Sequence, residues 1–277
     1  MTGFDLQAHR GGAGLAPENS LVAFGTALDL GVSTLECDVH VSRDGVPVLS
    51  HERTYAGRII PQLAWAELRD LRAGPEPLAT LDDLVALVLE RGAEVDLNVE
   101  TKFDVLHPHE EAPRECFVAA VVDLVRDAGL LARCTVQSFD WAVLRMVGAA
   151  EPRLRLNALT NTDYLEIDQP GASPWLAGLD IDDFGDSVPA AAAHLGFDAI
   201  SPSHSILTPA MISEAHAAGL RVLPWTVDDE ATMRHLVGSG TATGAEVDGL
   251  ITNRPDVLRG VLASLGLPLP PAFPRLA

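Results

Sequence analysis

The chain has 277 residues, 47% of them hydrophobic, and a formal net charge of −20 against only 19 Lys and Arg. That length suits two average domains or one large α/β barrel, and the apolar fraction is ample for a sizeable core. So large an acidic excess repels nucleic acid and anionic membrane surfaces, so an anionic ligand binds only where local positive charge overrides the global field.

The first strand expected is FDLQAH, followed by a Gly-rich turn and a helix from Asn19-Ser20 to Gly31. STLECDV and VPVLSH read as strands separated by the turn SRDG, and Glu52 to Gly74 reads as irregular or briefly helical. TLDDLVALVLERG is an amphipathic helix with Thr80 as N-cap and Gly92 as its stop. Next come the strand VDLNVET, a polar loop KFDVLHPHEEAPR, the helix ECFVAAVVDLVRDAG and the strand CTVQSF. RLRLNAL, FDAISP, LRVLPWTV and DGLIT are further strands, with helices between them. Strands alternating with helices predict a parallel sheet covered by helices. There are nine strand-like segments, one more than an eight-stranded barrel needs, and nothing in the sequence marks the surplus one. The run from Glu52 to Glu94 leaves little room for a separate small domain, so the whole chain, 1–277, is expected to be one barrel domain.

An open dinucleotide-binding sheet is the main competitor, but the glycines of HRGGAG miss the G-x-G-x-x-G spacing. The polar residues favour a TIM barrel. His9, Glu36, Asp38, His51 and Glu100 all fall at or near the C-terminal ends of strands, which in such a barrel converge on one mouth. In LECDVH, Glu36 and Asp38 share one strand face while Cys37 points the other way, toward the helical layer. Two anions crowded away from water are costly unless a cation lies between them. With Glu100 they make a hard oxygen site suited to one Mg²⁺ or Ca²⁺. No apolar run approaches the roughly 20 residues of a membrane span. The N-terminal MTGFDLQAHR has no signal-peptide pattern, and three cysteines without metal-ligand spacing suit a cytoplasmic protein with reduced thiols.

AHRGGAGLAPENSLVAF, LECDVHVSRDGVPVLSHE and NVETK, followed in order by QSFD, WTVDD and GLITNRPDVL, resemble the glycerophosphodiester phosphodiesterase family over most of the chain. The resemblance implies a TIM barrel of the phospholipase-C-like type that hydrolyses a small-molecule glycerophosphodiester to glycerol phosphate and an alcohol with a divalent metal. It makes Glu36, Asp38 and Glu100 the metal ligands and His9 and His51 the acid–base pair. Arg10, Lys102, Trp225 and Glu18 then fall to substrate binding, Glu18 by orienting Arg10. Lys102 shares the Glu100 face if the strand persists, whereas Arg10 faces with His9 only if the chain has already turned at Gly11-Gly12. The family usually follows its second His with Asp; here the residue is Glu52, whose extra methylene displaces the carboxylate and leaves it outside the catalytic set. His107 and His109 read as solvated loop residues, and His40 and His204 carry no assigned role. Competing outcomes are cleavage to a cyclic phosphate, a lysophospholipase-D-like activity and a non-catalytic phosphoester-binding barrel. Nothing in the sequence sets the oligomeric state.

Overall fold

The computed structural model describes residues 3–169, 171–238 and 246–275. In chain order the strands are β1 (Asp5–Ala8), β2 (Thr34–Val41), β3 (Pro47–Leu49), the two-residue pair β4 (Thr54–Tyr55) and β5 (Arg58–Ile59), and β6 (Asp96–Thr101). They continue with β7 (Cys134–Ser138), β8 (Arg155–Thr160), β9 (Ala199–Pro202), β10 (Arg221–Val222) and β11 (Gly249–Thr252). All but β3, β4 and β5 run parallel, in the order β10-β9-β8-β7-β6-β2-β1-β11. No regular ladder joins β10 to β11. Three backbone bonds stitch that seam instead, from Asp248 N to Val222 O (3.0 Å), Ile251 N to Pro224 O (3.0 Å) and Val227 N to Ile251 O (3.1 Å). The expected TIM barrel is the architecture observed.

The surplus strand is VPVLSH. β2 overshoots the barrel, turns at SRDG and returns as β3, antiparallel to it, with Val39 opposite Leu49 and Val41 opposite Pro47. LRVLPWTV also proves shorter than expected. Only Arg221 and Val222 pair as a strand, because Pro224 has no N–H to give the ladder. The Glu52–Gly74 segment holds the β4–β5 hairpin and a four-residue helix, α2 (Trp65–Leu68). It packs Ile60, Leu63 and Leu68 with Val48 into a small apolar cluster of its own.

Helix α1 (Leu21–Leu30) starts where the sequence places it, with Ser20 Oγ accepting from Ala23 N at 3.1 Å. Helix α3 (Leu81–Glu90) is capped reciprocally by Thr80 and Asp83. α4 (Arg114–Asp127) follows β6, and α5 (Trp141–Ala150) follows β7. Leu35, Cys37 and Val39 of β2 join the main apolar core with residues of these helices, so Cys37 packs as expected. Trp141 anchors α5: it is fully buried, edge-on to Phe197 at 5.6 Å, and its Nε1 donates to Leu159 O at 3.0 Å. Trp141→Ala should cost about 3–5 kcal/mol of unfolding free energy, the usual range for a buried Trp. A denaturant titration showing less than about 1 kcal/mol would mean the site collapses to refill the space.

The barrel interior is polar. Asp5 Oδ2 accepts from Gln7 Nε2 (3.0 Å), and Asn98 Nδ2 donates to both Gln7 Oε1 and Gln137 Oε1 (2.8 Å each). Gln137 Nε2 donates to Glu36 Oε1 at 3.0 Å. A row of amides thus runs from the floor of the barrel to the acids near its mouth.

Candidate active site

β1 stops at Ala8, and His9–Gly11 wind into a single 3-10 turn in which Arg10 takes a left-handed backbone (φ 53°, ψ 34°). Gly11 follows at φ +80°, packed so closely on α1 that a Cβ there would lie 2.9 Å from Phe24 N. This turn is what the sequence left conditional, and it brings His9 and Arg10 to the same cluster. The Arg10 N–H donates to Glu36 Oε2 at 2.7 Å. Its guanidinium reaches Asp38 Oδ2 (3.1 Å) and Glu18 Oε2 (2.7 Å).

Asp38 and Glu100 are register partners on adjacent strands, and donor atoms of Glu36, Asp38 and Glu100 all lie within 4.8 Å of one another. All three residues are buried. Lys102 N still donates to Val39 O (2.9 Å), so the extended backbone carries on past Thr101. The Lys102 ammonium then sits 3.0 Å from Asp38 Oδ1 and 2.5 Å from Glu100 Oε1. Lys102 is thus paired with both carboxylates at once. Asp38 also exchanges two hydrogen bonds with Asn19, of 2.9 and 3.1 Å.

His51 is not at the end of a barrel strand, as the sequence suggested. It follows the return strand β3, where Ser50 N bonds Asp38 O at 3.1 Å, and so reaches the mouth from above. Each histidine is held through Nδ1. Asn253 donates its Nδ2 to Asp228 Oδ2 (2.8 Å) and therefore turns Oδ1 to His9 Nδ1 at 2.7 Å. Glu52 Oε1 lies 2.7 Å from His51 Nδ1. In both rings the proton therefore sits on Nδ1 and Nε2 is left bare, His9 Nε2 lying 4.0 Å from Glu36 Oε2. Sequence reasoning missed both partners. Asn253 stands in a motif it quoted, and the Glu52 side chain reaches His51 despite its extra methylene.

Trp225 lies beyond β10, with Nε1 donating to Ser201 O at 2.7 Å. It lines a cavity of about 600 Å³ with His51, Lys102, Phe139, Tyr164 and Trp175. Phe139 stands edge-on to both Trp225 (5.4 Å) and Tyr164 (4.9 Å), and Tyr164 stacks on Trp175 (4.1 Å). Of this aromatic wall the sequence singled out Trp225 alone. His107 and His109 are 55% and 75% exposed, the former bound to Asp104 Oδ2 at 2.7 Å, as solvated loop residues should be.

Burial and the neighbouring Asp38 charge push Glu36 up to about 8. Burial likewise raises Glu100, to about 7, against the pull of Lys102. Burial would raise Asp38 too, but Lys102 and Arg10 outweigh it and hold that carboxyl below the usual range. Burial, aided by Arg10 at His9 and by Lys102 at His51, lowers both imidazoles, so both rings are neutral at pH 7. A raised carboxyl holds its proton after the unfolded chain has lost it. Its stabilising contribution is therefore complete below the unfolded value and fades as pH rises through about 7 at Glu100. In EDTA at pH 8, Glu100→Gln should therefore raise the melting temperature. Asp38→Asn should lower it, by stranding Lys102 and Arg10. Shifts of several degrees are expected, at roughly 2–4 °C per kcal/mol for chains of this class. Equal shifts of the same sign would contradict this division.

The chain is similar to known proteins over most of its length. "Probable glycerophosphodiester phosphodiesterase 2" of Mycobacterium tuberculosis is 27% identical over 271 residues, covering 94% of this chain and 90% of that one. "Probable glycerophosphodiester phosphodiesterase 1" of the same species is 30% identical over 251 residues, covering 80% and 81%. A crystal structure named for a glycerophosphoryl diester phosphodiesterase from Silicibacter pomeroyi superposes with a TM-score of 0.80 at 29% identity, covering 96% of each chain. The sequence profile of the "Glycerophosphoryl diester phosphodiesterase family" matches residues 9–257, a span that opens on His9 and takes in the acids, both histidines and Asn253. The chain belongs to the glycerophosphoryl diester phosphodiesterase family.

Proposed function

We propose that the chain is a single-domain, metal-dependent hydrolase that cleaves glycerophosphodiesters to glycerol phosphate and an alcohol. The observation that carries this is three buried carboxylates, two cations and two histidines with bare Nε2 atoms gathered at one barrel mouth. The donor set fits a divalent ion. It is all oxygen, and the three ionised carboxylates carry one more negative charge than Lys102 and Arg10 balance, a deficit that a divalent ion would meet. Glu36, Asp38 and Glu100 would hold one such ion, Mg²⁺ or Ca²⁺. When bound, it supplies Lewis acidity at the phosphoryl oxygens.

The remaining work falls to the protein's own groups. Lys102 and Arg10 draw the diester phosphate into an otherwise acidic molecule, and Glu18 steadies the Arg10 guanidinium. Trp225 and the aromatic wall beside it receive an arm of the substrate. One neutral imidazole takes the proton of the nucleophile at Nε2; the other acts as its imidazolium, having first taken a proton from solvent at Nε2, and delivers that proton to the departing alcohol. The nucleophile is either water or the glycerol 2-hydroxyl, the latter giving a cyclic phosphate. The three free thiols suit the reducing cytosol, and none of the described helices is long and apolar enough to cross a membrane.

A second reading draws on the aromatic wall together with Leu106, which lines the same cavity at 60% exposure and would suit the acyl chain of a lysophospholipid. A product assay with glycerophosphodiesters of different alcohols, and with a lysophospholipid, under each divalent metal separates these outcomes. Glycerol phosphate release from the water-soluble diesters supports the first reading. Cyclic phosphate as the end product, or turnover of the lysophospholipid alone, would replace it.

A further inference from the structure

His40 lies on the barrel-facing side of β2, two residues beyond Asp38, and its side chain is only 4% exposed. Its Nε2 lies 3.3 Å from the carbonyl oxygen of His51. A carbonyl only accepts, so that nitrogen carries the proton and donates it. The other nitrogen, Nδ1, faces Glu111 Oε2 at 3.9 Å, and both atoms are buried without a partner. Arg53, two residues past His51, closes the group. Its Nη2 grips Glu110 at 2.7 Å, while its Nη1 stands 3.7 Å from Glu111 Oε1 and 4.0 Å from Asp104 Oδ2. Three segments therefore meet here: the overshooting end of β2, the return segment after β3, and the loop that follows β6.

This matters because no barrel strand carries His51. The backbone at residue 51 leaves the ladder after Ser50, and the His51 side chain is one-third exposed. Glu52, which holds the imidazole at Nδ1, is itself 73% exposed and so a weak restraint on position. The buried bond to the backbone of His51 comes from His40.

We propose that His40 is a positioning residue: by donating Nε2–H to the His51 carbonyl, braced from behind by Glu111 and Arg53, it sets where the His51 imidazole meets the substrate. The proposal rests on His51 acting as a proton-transfer group. Misplacing a catalytic group by about 1 Å can cost up to about a hundredfold in rate while leaving substrate binding intact.

The test uses the full-length protein and four variants assayed on glycerophosphocholine: His40→Gln, His40→Asn, His51→Ala and the His40→Asn/His51→Ala double variant. The glutamine amide nitrogen reaches the place of Nε2, so His40→Gln should keep kcat within about threefold of wild type. Asparagine reaches only the place of Nδ1, so His40→Asn should lose roughly tenfold or more in kcat with KM within about twofold, because only transition-state placement suffers. Both replacements are polar and smaller than histidine, so both should fold, which a thermal melt checks. In the His51→Ala background, His40→Asn should change kcat by less than about twofold, since coupled residues lose their effect together. Equal losses for Gln and Asn, an effect carried by KM, or an undiminished loss in the His51→Ala background would each overturn the positioning role. Wild-type turnover by His51→Ala alone would instead remove the catalytic reading of His51, a result distinct from all three.

Discussion

Chelation with EDTA is expected to abolish turnover of glycerophosphodiesters, and Mg²⁺, Mn²⁺ or Ca²⁺ to restore it. The expectation rests on charge balance. Glu36, Asp38 and Glu100 share a buried volume in which Lys102 and Arg10 are the cations in direct contact, so full ionisation leaves the cluster one positive charge short. Without a metal, burial and the neighbouring acid charges hold Glu36 up at about 8 and Glu100 at about 7, so protons meet the deficit. A protonated carboxyl cannot serve as an anionic ligand, and a phosphate diester approaching an uncompensated acid cluster is repelled. Glu36→Ala and Asp38→Ala should accordingly cost most of the activity even with metal in excess. The control is a melt in EDTA: the protein must stay folded while inactive. Undiminished activity in enzyme shown by elemental analysis to be metal-free would end the assignment of these three acids as ligands.

The second large effect concerns the histidines. His9 and His51 reach the mouth on different segments, one on the turn after β1 and the other on the return of β2, and each is held through Nδ1. They should therefore act on opposite sides of the phosphorus. Whichever is the general acid matters only when the alcohol is a poor leaving group. Its alanine variant should be crippled on glycerophosphocholine, by roughly two to four powers of ten, the usual worth of general acid–base help. It should be nearly normal on a glycerophosphodiester that releases nitrophenol, which leaves with little need of a proton. The base variant should lose both activities. Equal loss of both substrates in His9→Ala and His51→Ala would mean that no such division exists.

Much of this could be read from the chain. Alternating strands and helices, and acids two apart in an apolar strand, led to the barrel and its acid cluster, because both signals are local in sequence. What stayed hidden depends on pairing across distance. VPVLSH passed for a barrel strand because a short apolar run, buried throughout, looks the same in a parallel strand and in an antiparallel return. The short turn SRDG was the one clue to a hairpin. Asn253 meets His9 across 244 positions, and Gln137 meets Glu36 across 101, spacings at which no periodicity speaks. The aromatic wall is scattered over Phe139, Tyr164, Trp175 and Trp225, each of which would pass alone for ordinary packing. Proline at position 224 did announce the early end of β10, and that signal went unused.

The row of amides inside the barrel bears on how portable this chemistry is. Each amide in the row is oriented by its neighbour. Glu36 takes the N–H₂ of Gln137, which fixes the oxygen of Gln137 toward Asn98; Asn98 in turn donates to the oxygen of Gln7, whose nitrogen is claimed by Asp5. Barrels of this type more often fill that space with branched aliphatic side chains, which offer no such orientation. A protein engineer who grafted Glu36, Asp38 and Glu100 onto an aliphatic barrel would install the acids but not the row that aims Glu36. To carry the chemistry elsewhere, the graft must include Gln7, Asn98 and Gln137, three uncharged residues whose part is to orient one another and Glu36.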